Sequence, residues 1–335
     1  MLDLHVGLLG AGVMAQTHLE AWITLGARVS VYSDDGRHTH LAADHAGQGV
    51  KAAPSLAHLL EHCTLIDICT PTASHKEIIL AAAAAGRHVV CEKPLAMTPE
   101  DAQEAADATA RAGVHLFPAH VVRYFPEYEA LHRAVEAGAV GEPAILHFTR
   151  MTAYPDWSPW FSDTALSGGI LTDQMIHDFD YARSVAGDPV RVYAQVRESE
   201  SDDGARIAAG TAVLTHASGA ISYFHGLWGQ PGTAFRTTFR VAGSDGVLEH
   251  DSHATTAFRV LAQQPVPEDE RIPQVALFEN PYAAELRDFA HAVLTGRAPR
   301  VDAHDGVMAV RIAAAARESA RTGRAIDLTA EEATR

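Results

Sequence analysis

The chain has 335 residues, 47% hydrophobic and 20% charged, a composition that excludes disorder and a length that predicts two domains. A formal net charge of −16 excludes nucleic acid as a partner, because phosphate binding needs a Lys/Arg-rich face. No apolar run approaches ~18 residues without a charge or breaker, so no membrane span is expected, and the opening LDLHVGLLG is too short for a signal peptide.

In the first third, short apolar runs predict strands at 4–9, 28–32, 65–69, 87–91 and 114–119. Helical patterns lie between them near 13–25, 36–46, 55–62, 74–85 and 99–112. Gly26, Gly86 and Gly113 stand where those helices need a C′ residue, and Thr98-Pro99-Glu100-Asp101 supplies an N-cap, a first-turn proline and first-turn acids. Such alternation builds a doubly wound parallel sheet, an α/β domain over residues 1–122. Cys69 and Cys91 end buried strands; with Cys63 they make an odd and clustered set that predicts free thiols and a reducing cytoplasm.

Gly10-Ala-Gly12-Val13-Met14-Ala15 follows the first strand and opens a helix. Gly10 allows the tight turn, Gly12 lets backbone approach a pyrophosphate, and small Ala15 permits close helix–strand packing. That pattern predicts dinucleotide binding. The second strand ends at Tyr32, so Ser33 takes the ribose position with Asp34 beside it. Asp34 would repel a 2′-phosphate and the nearest arginine is Arg37, so NAD is expected, with NADP as the alternative.

Only three lysines occur, Lys51, Lys76 and Lys93. Glu92-Lys93-Pro94 ends the strand at 87–91, and ligands in open α/β sheets bind outside the carboxyl ends of strands. Lys93 is therefore a candidate to hydrogen-bond a reacting oxygen and stabilise developing alkoxide charge.

Beyond residue 122 the texture changes to an α+β domain, 123–335. A helix is expected at 126–138, a strand at 143–152 and a helix near 168–186. Strands follow at 190–198, 207–216, 219–227, 235–242, 246–250 and 255–262, forming a mostly antiparallel sheet. Helices near 281–295 and 303–322 close the chain, and together with the helix near 168–186 they are expected to cover one face of that sheet. The open face predicts a homodimer or homotetramer. Between the strand at 143–152 and Gly168-Gly169 lie Tyr154, Trp157, Trp160 and Phe161, suited either to stacking on a sugar ring or to sealing an interface. Arg123, at the junction, is suited to contacting substrate or to tying the domains together, and stays outside the catalytic set.

Asp173 and His177 are four residues apart in the segment read as one helix, which puts them on one face. His177 can take and return a proton near neutral pH, and Asp173 can orient it or bind a substrate hydroxyl. Their spacing also suits a metal pair, but no third ligand run accompanies it, so no metal is expected.

Taken in order, the loop at 10–15, Thr70-Pro71-Thr72-Ala-Ser-His75, Glu92-Lys93-Pro94 and Gly168-Gly169-x-x-x-Asp173-x-x-x-His177 resemble the Gfo/Idh/MocA family of oxidoreductases, nearly end to end. The resemblance implies a Rossmann domain followed by an α+β domain whose sheet often mediates oligomers. It implies Lys93, Asp173 and His177 as catalytic residues, with Thr70, Pro71, His75 and Glu92 joining the glycine loop near the cofactor. The Asp-x-x-x-His-Asp-x-Asp form looks especially like inositol dehydrogenases, so the expected reaction is hydride transfer between nicotinamide and a secondary alcohol of a polyol or sugar-like substrate. Ser33 departs from the aspartate common in NAD-preferring members. The alternatives on this scaffold are a non-catalytic, dinucleotide-bound sensor and a redox-assisted glycosidase.

Overall fold

A computed structural model of the chain describes residues 2–156, 159–200, 204–254, 258–262 and 279–329. The chain divides into two compact units, Met1–Tyr124 with Leu277–Val310, and Phe125–Ala276 with Arg311–Arg335.

The first unit contains β1 (His5–Leu9), α1 (Val13–Thr24), β2 (Arg28–Tyr32), α2 (His38–Asp44), β3 (Lys51–Ala52), α3 (Leu56–His62), β4 (Leu65–Ile68), α4 (His75–Ala84), β5 (His88–Glu92), α5 (Pro99–Ala112) and β6 (Leu116–Ala119). Its strands form one parallel sheet in the order β3-β2-β1-β4-β5-β6. The five strands read from the sequence are all present; β3, a two-residue edge strand, lacks any apolar run that would have marked it. Alternate residues of one strand feed opposite faces: Val6 and Leu8 join a core with Leu19, Trp22 and Phe117, while Leu9 joins Leu59, Ile66, Ile68 and Ile79. Local chemistry sets the helix ends. Thr98 Oγ1 accepts from the Asp101 amide at 3.2 Å, Pro99 opens α5, and Gly113 closes it in the left-handed region.

The second unit begins with α6 (Pro126–Glu136) and β7 (Pro143–Ala153). Three short helices follow, α7 (Thr164–Ser167), α8 (Gly169–Asp173) and α9 (Ile176–Ala186). Then come β8 (Pro189–Glu200), β9 (Arg206–His216), β10 (Ile221–Gly229), β11 (Arg236–Gly243), β12 (Gly246–Asp251), β13 (Phe258–Ala262) and, near the end, β14 (Ile326–Asp327). The sheet order is β13-β12-β11-β7-β10-β9-β8-β14, antiparallel except where β10 runs parallel to β7. Residues 255–257 of the strand expected at 255–262 lie outside the described residues. One face of this sheet is covered by α9, with Phe179 edge-on to Phe224 at 5.0 Å and Tyr181 edge-on to Phe148 at 6.0 Å. On its other face His147 stacks on Tyr223, and Ile145 and Tyr193 are exposed.

One expectation is corrected here. The closing helix α10 (Pro281–Thr295) groups with the first unit, so the second domain is not the continuous stretch 123–335. Ala283, Leu286, Phe289 and Ala290 recur at helical spacing and enter the core of the parallel sheet, where Phe289 stacks on Phe117 at 4.7 Å. Helix α11 (Ala303–Thr322) follows; its C-terminal half meets the antiparallel sheet, where Ser319 Oγ accepts from the Ala194 amide at 2.9 Å. Among the described residues, no helix is long and apolar enough to cross a membrane.

Candidate active site

In the first unit, β2, β1, β4 and β5 are neighbours, so the residues that follow them line up along one edge of the sheet. Gly10 has φ of +114°, and a Cβ there would lie 2.5 Å from the Cys69 carbonyl oxygen. Only glycine fits. Nothing lies within 4 Å of where a Cβ on Gly12 would project, which leaves the approach a pyrophosphate needs. Ala15 is fully buried beneath the turn. Helix α1 starts at Val13 with no side-chain cap and no acid in its first turn, so its N-terminal positive end meets no anion from its own first turn. The loop fits a dinucleotide.

At the end of β2, the buried Ser33 hydroxyl donates to Asp35 at 2.7 Å and accepts from the His38 amide at 3.1 Å. With the Arg37 amide and guanidinium, it holds the Asp35 carboxyl down to about 2. Arg37 is thus paired locally, Nε to Oδ2 at 2.6 Å, while Asp34 is exposed. The arginine nearest the ribose position is committed to a carboxylate.

After β4, the Thr70 and Ser74 hydroxyls lie 2.7 Å apart, and Ser74 also donates to the Pro71 carbonyl. His75 is buried with Nδ1 2.8 Å from the Pro94 carbonyl and Nε2 2.8 Å from the Thr70 carbonyl. Both ring nitrogens face backbone, so the ring bridges the loops after β4 and β5. Burial lowers its pKa, against the opposing pull of the Thr70 and Pro94 carbonyls.

Glu92 is likewise held by its neighbours. It is buried, with Oε2 accepting from the Lys93 amide at 3.0 Å and Oε1 3.3 Å from His18 Nε2. Lys93 itself is half-buried at the rim, between buried Glu92 and Pro94. Behind it, His18 Nδ1 lies 3.0 Å from Asp67 Oδ2, and Trp22 Nε1 donates to the same oxygen at 2.7 Å. Sequence reading missed His18, Trp22 and Asp67. An aspartate inside the apolar strand LIDI was the available signal, since a buried carboxylate requires a cationic or hydrogen-bonding partner.

In the second unit, Gly168 and Gly169 both adopt positive φ, and a Cβ on Gly168 would meet Thr172 at 2.5 Å. The single helix expected over 168–186 is broken at Gln174–Met175. The Met175 amide reaches back five residues to the Ile170 carbonyl at 2.9 Å, a wide turn of the kind that recurs at functional sites. Packing explains the break: Gly210 and Gly226 face each other in adjacent strands, and a Cβ on either would lie 2.7 Å from the Met175 side chain. Met175 plugs that dent. Asp173 therefore ends α8 and His177 sits in the first turn of α9, and the two do not share one regular helix face. Within 167–182 they are the two residues that are not buried.

The helix bearing His177 is anchored by its neighbour. Asp178 accepts from Arg150 Nε at 3.1 Å and Nη2 at 2.8 Å, all within the core, and Gln174 Nε2 donates to the Arg150 carbonyl at 2.8 Å. Burial alone would lower the Arg150 pKa, but Asp178 outweighs it and the guanidinium stays charged. Of the aromatic stretch, Tyr154 and Phe161 pack edge-on to Trp228 at 5.4 and 6.2 Å, and Trp160 stacks on Phe161. Trp157 lies outside the described residues. Arg123 is buried and paired with Asp305 at 3.0 Å, inside the first unit.

Residues 4–120 match the family profile described as "Oxidoreductase family, NAD-binding Rossmann fold", and residues 128–249 match that of the GFO/IDH/MocA C-terminal domain. The chain is 28% identical to myo-inositol 2-dehydrogenase of Thermotoga maritima, over 97% of this chain and 98% of the relative. It is 33% identical to D-xylose 1-dehydrogenase (NADP(+)) 2 of Haloferax volcanii, over 77% and 78%. Among solved structures it resembles GenD2 from gentamicin A biosynthesis, in complex with NAD, with a TM-score of 0.80, 27% identity, and coverage of 98% and 97%.

Proposed function

The chain belongs to the Gfo/Idh/MocA family of oxidoreductases, and on that premise we propose that it oxidises a secondary alcohol of a polyol or sugar-like substrate, or reduces the ketone. The observation that carries the reading is the glycine loop: an open Gly12, a strained Gly10 and an uncapped helix start, aligned along one sheet edge with Lys93. The nicotinamide, when bound, accepts or gives the hydride. His177 takes the hydroxyl proton during oxidation and returns it during reduction. Lys93 donates to the reacting oxygen and stabilises its charge as the C–H bond breaks. Asp173 orients the imidazole or holds a neighbouring hydroxyl. Gly10, Gly12, Val13, Met14 and Ala15 form the pyrophosphate site; Ser33 and Asp34 meet the adenosine ribose, which favours NAD.

The exposed face of the antiparallel sheet, with Ile145 and Tyr193, supports a homodimer or homotetramer. Three free thiols, two of them buried, fit a reducing cytoplasm. Incubating the purified protein with NAD and a panel of inositols, aldoses and anhydrosugars, and following reduced-nicotinamide absorbance, tests the activity. No turnover with any secondary alcohol, together with tight NADH binding, would replace the enzyme by a sensor. Light scattering tests assembly; a 35.8 kDa particle at micromolar concentration would remove the oligomer.

A further inference from the structure

Helix α1 begins at the glycine loop and, two turns later, delivers His18 and Trp22 to one buried carboxylate. Asp67 receives His18 Nδ1 on Oδ2 at 3.0 Å and the Trp22 indole N–H on the same oxygen at 2.7 Å. On the far side of the ring, His18 Nε2 faces Glu92 Oε1 at 3.3 Å. The other Glu92 oxygen binds the Lys93 backbone amide at 3.0 Å. His18 and Asp67 are fully buried and Glu92 nearly so.

We propose that His18 is a positioning residue for Lys93, its imidazolium bridging Asp67 and Glu92 so that the lysine backbone is held from behind by a fixed carboxylate. The assignment rests on the dehydrogenase reading, which gives Lys93 its role. The ring lies between two carboxylates: Nδ1 hydrogen-bonds Asp67, while Nε2 meets Glu92 Oε1 at 3.3 Å as an ion-pair contact that is not aligned as a hydrogen bond, and only the imidazolium attracts both. Burial opposes the charge, yet the Asp67 carboxylate overcomes it, and the His18 pKa is raised well above its ordinary range. Glu92 is the complement: burial opposes its ionisation, but His18, then the Lys93 ammonium and its backbone amide, outweigh that and its pKa is lowered. The remaining groups facing His18 do not disturb this pairing. The Cys69 thiol lies 3.7 Å from Asp67 Oδ1 and burial keeps it protonated. From α10, the Tyr282 ring is 6.2 Å from the His18 ring, and the pKa of buried Glu285 is raised, chiefly by burial.

Such a chain links the cofactor helix to the catalytic lysine without either surface being involved, so its loss should appear in turnover and not in cofactor affinity. The test uses the full-length protein with NAD and a substrate found by the screen above. We expect folded His18→Gln and Glu92→Gln to lower kcat by ~10–100-fold, as a small displacement of a reacting group does, while NADH affinity by fluorescence stays within about threefold. The His18→Gln/Glu92→Gln double variant should be no worse than the poorer single one, because the two act as a unit. Asp67→Asn removes the support for the imidazolium, so its turnover should fall on the alkaline side at a pH at least about one unit below wild type. A purely structural role would lower melting temperature and leave the pH profile in place. Folded His18→Gln and Glu92→Gln with kcat within about threefold of wild type, or an unshifted Asp67→Asn profile, overturns the proposal. Lys93→Met separates the two readings: inactive Lys93→Met beside a normal His18→Gln defeats only the positioning role, whereas active Lys93→Met defeats the dehydrogenase assignment of Lys93 itself. If His18→Gln does not fold, the Glu92→Gln turnover and the Asp67→Asn profile decide.

Discussion

Arg150 and Asp178 form a buried two-point ion pair, Nε to Oδ2 at 3.1 Å and Nη2 to Oδ1 at 2.8 Å, one residue beyond His177. The fork fixes the first turn of α9 on the central strand β7. Arg150→Met would leave Asp178 charged and unpaired in the core, which costs ~3–5 kcal/mol for a broken buried pair. Urea unfolding should therefore show a large drop in midpoint. Arg150→Lys should recover only part of it, because an ammonium cannot reproduce the two parallel contacts. A loss below about 1 kcal/mol in Arg150→Met would mean that the pair is not an anchor.

His177→Ala should reduce kcat by ~10²–10⁴-fold, the range for a lost general base, while NAD affinity hardly changes because the glycine loop belongs to the other unit. Wild-type kcat/KM for alcohol oxidation should rise with pH through one ionisation, since the base must start neutral. Asp173→Asn should bind cofactor normally and lose turnover. Stopped-flow and steady-state kinetics on the folded variant decide; near-normal turnover in His177→Ala transfers the proton role elsewhere.

On the proposed ribose site, cofactor choice is expected to follow from Asp34 and the local capture of Arg37 by Asp35. NAD should exceed NADP in kcat/KM by at least about tenfold, or ~1.4 kcal/mol in transition-state terms. Asp34→Asn should narrow that ratio by relieving repulsion of a 2′-phosphate. A tenfold preference for NADP in the wild type would reverse the assignment.

Glu285 offers a stability test with a defined sign. Burial, reinforced by the Glu92 and Asp67 carboxylates and opposed by His18, raises its pKa well above 4.5. The folded protein therefore holds a proton that the unfolded chain releases near pH 4.5. Its contribution is fully present below that pH and is lost as pH rises through the folded value. Glu285→Gln should raise melting temperature at about pH 8 and have little effect near about pH 4. An equal change at both ends would show that the carboxyl is ionised in the native state.

The dent at Gly226 sets the turn before His177. Gly226→Ala places a Cβ 2.7 Å from Met175 Cγ and Sδ and should cost ~1–3 kcal/mol, the range for overpacking. Adding Met175→Ala should recover part of that loss, a coupling that a thermodynamic cycle measures directly. Strict additivity would mean that Met175 does not fill the dent.

Much of this protein is written in local spacing. Strand–helix alternation, Gly10 and Gly12 after an apolar run, Lys93 at a strand end, and Asp173 and His177 beside Gly168-Gly169 are all relations within a few residues, where backbone sterics and hydrogen-bond geometry act directly. Those relations specified the parallel sheet, the dinucleotide loop and the candidate acid–base pair. Tertiary structure decided what depends on contacts distant in sequence. The apolar face of α10 suits either core, and only the packing of Phe289 on Phe117 assigns it to the first unit. A four-residue spacing reads as one helix until Met175 meets Gly210 and Gly226, which lie far along the chain. His75 and Glu92 carry family motifs, yet the directions of their polar atoms follow from the Thr70 and Pro94 carbonyls and from the Lys93 amide and His18, groups brought together by the fold.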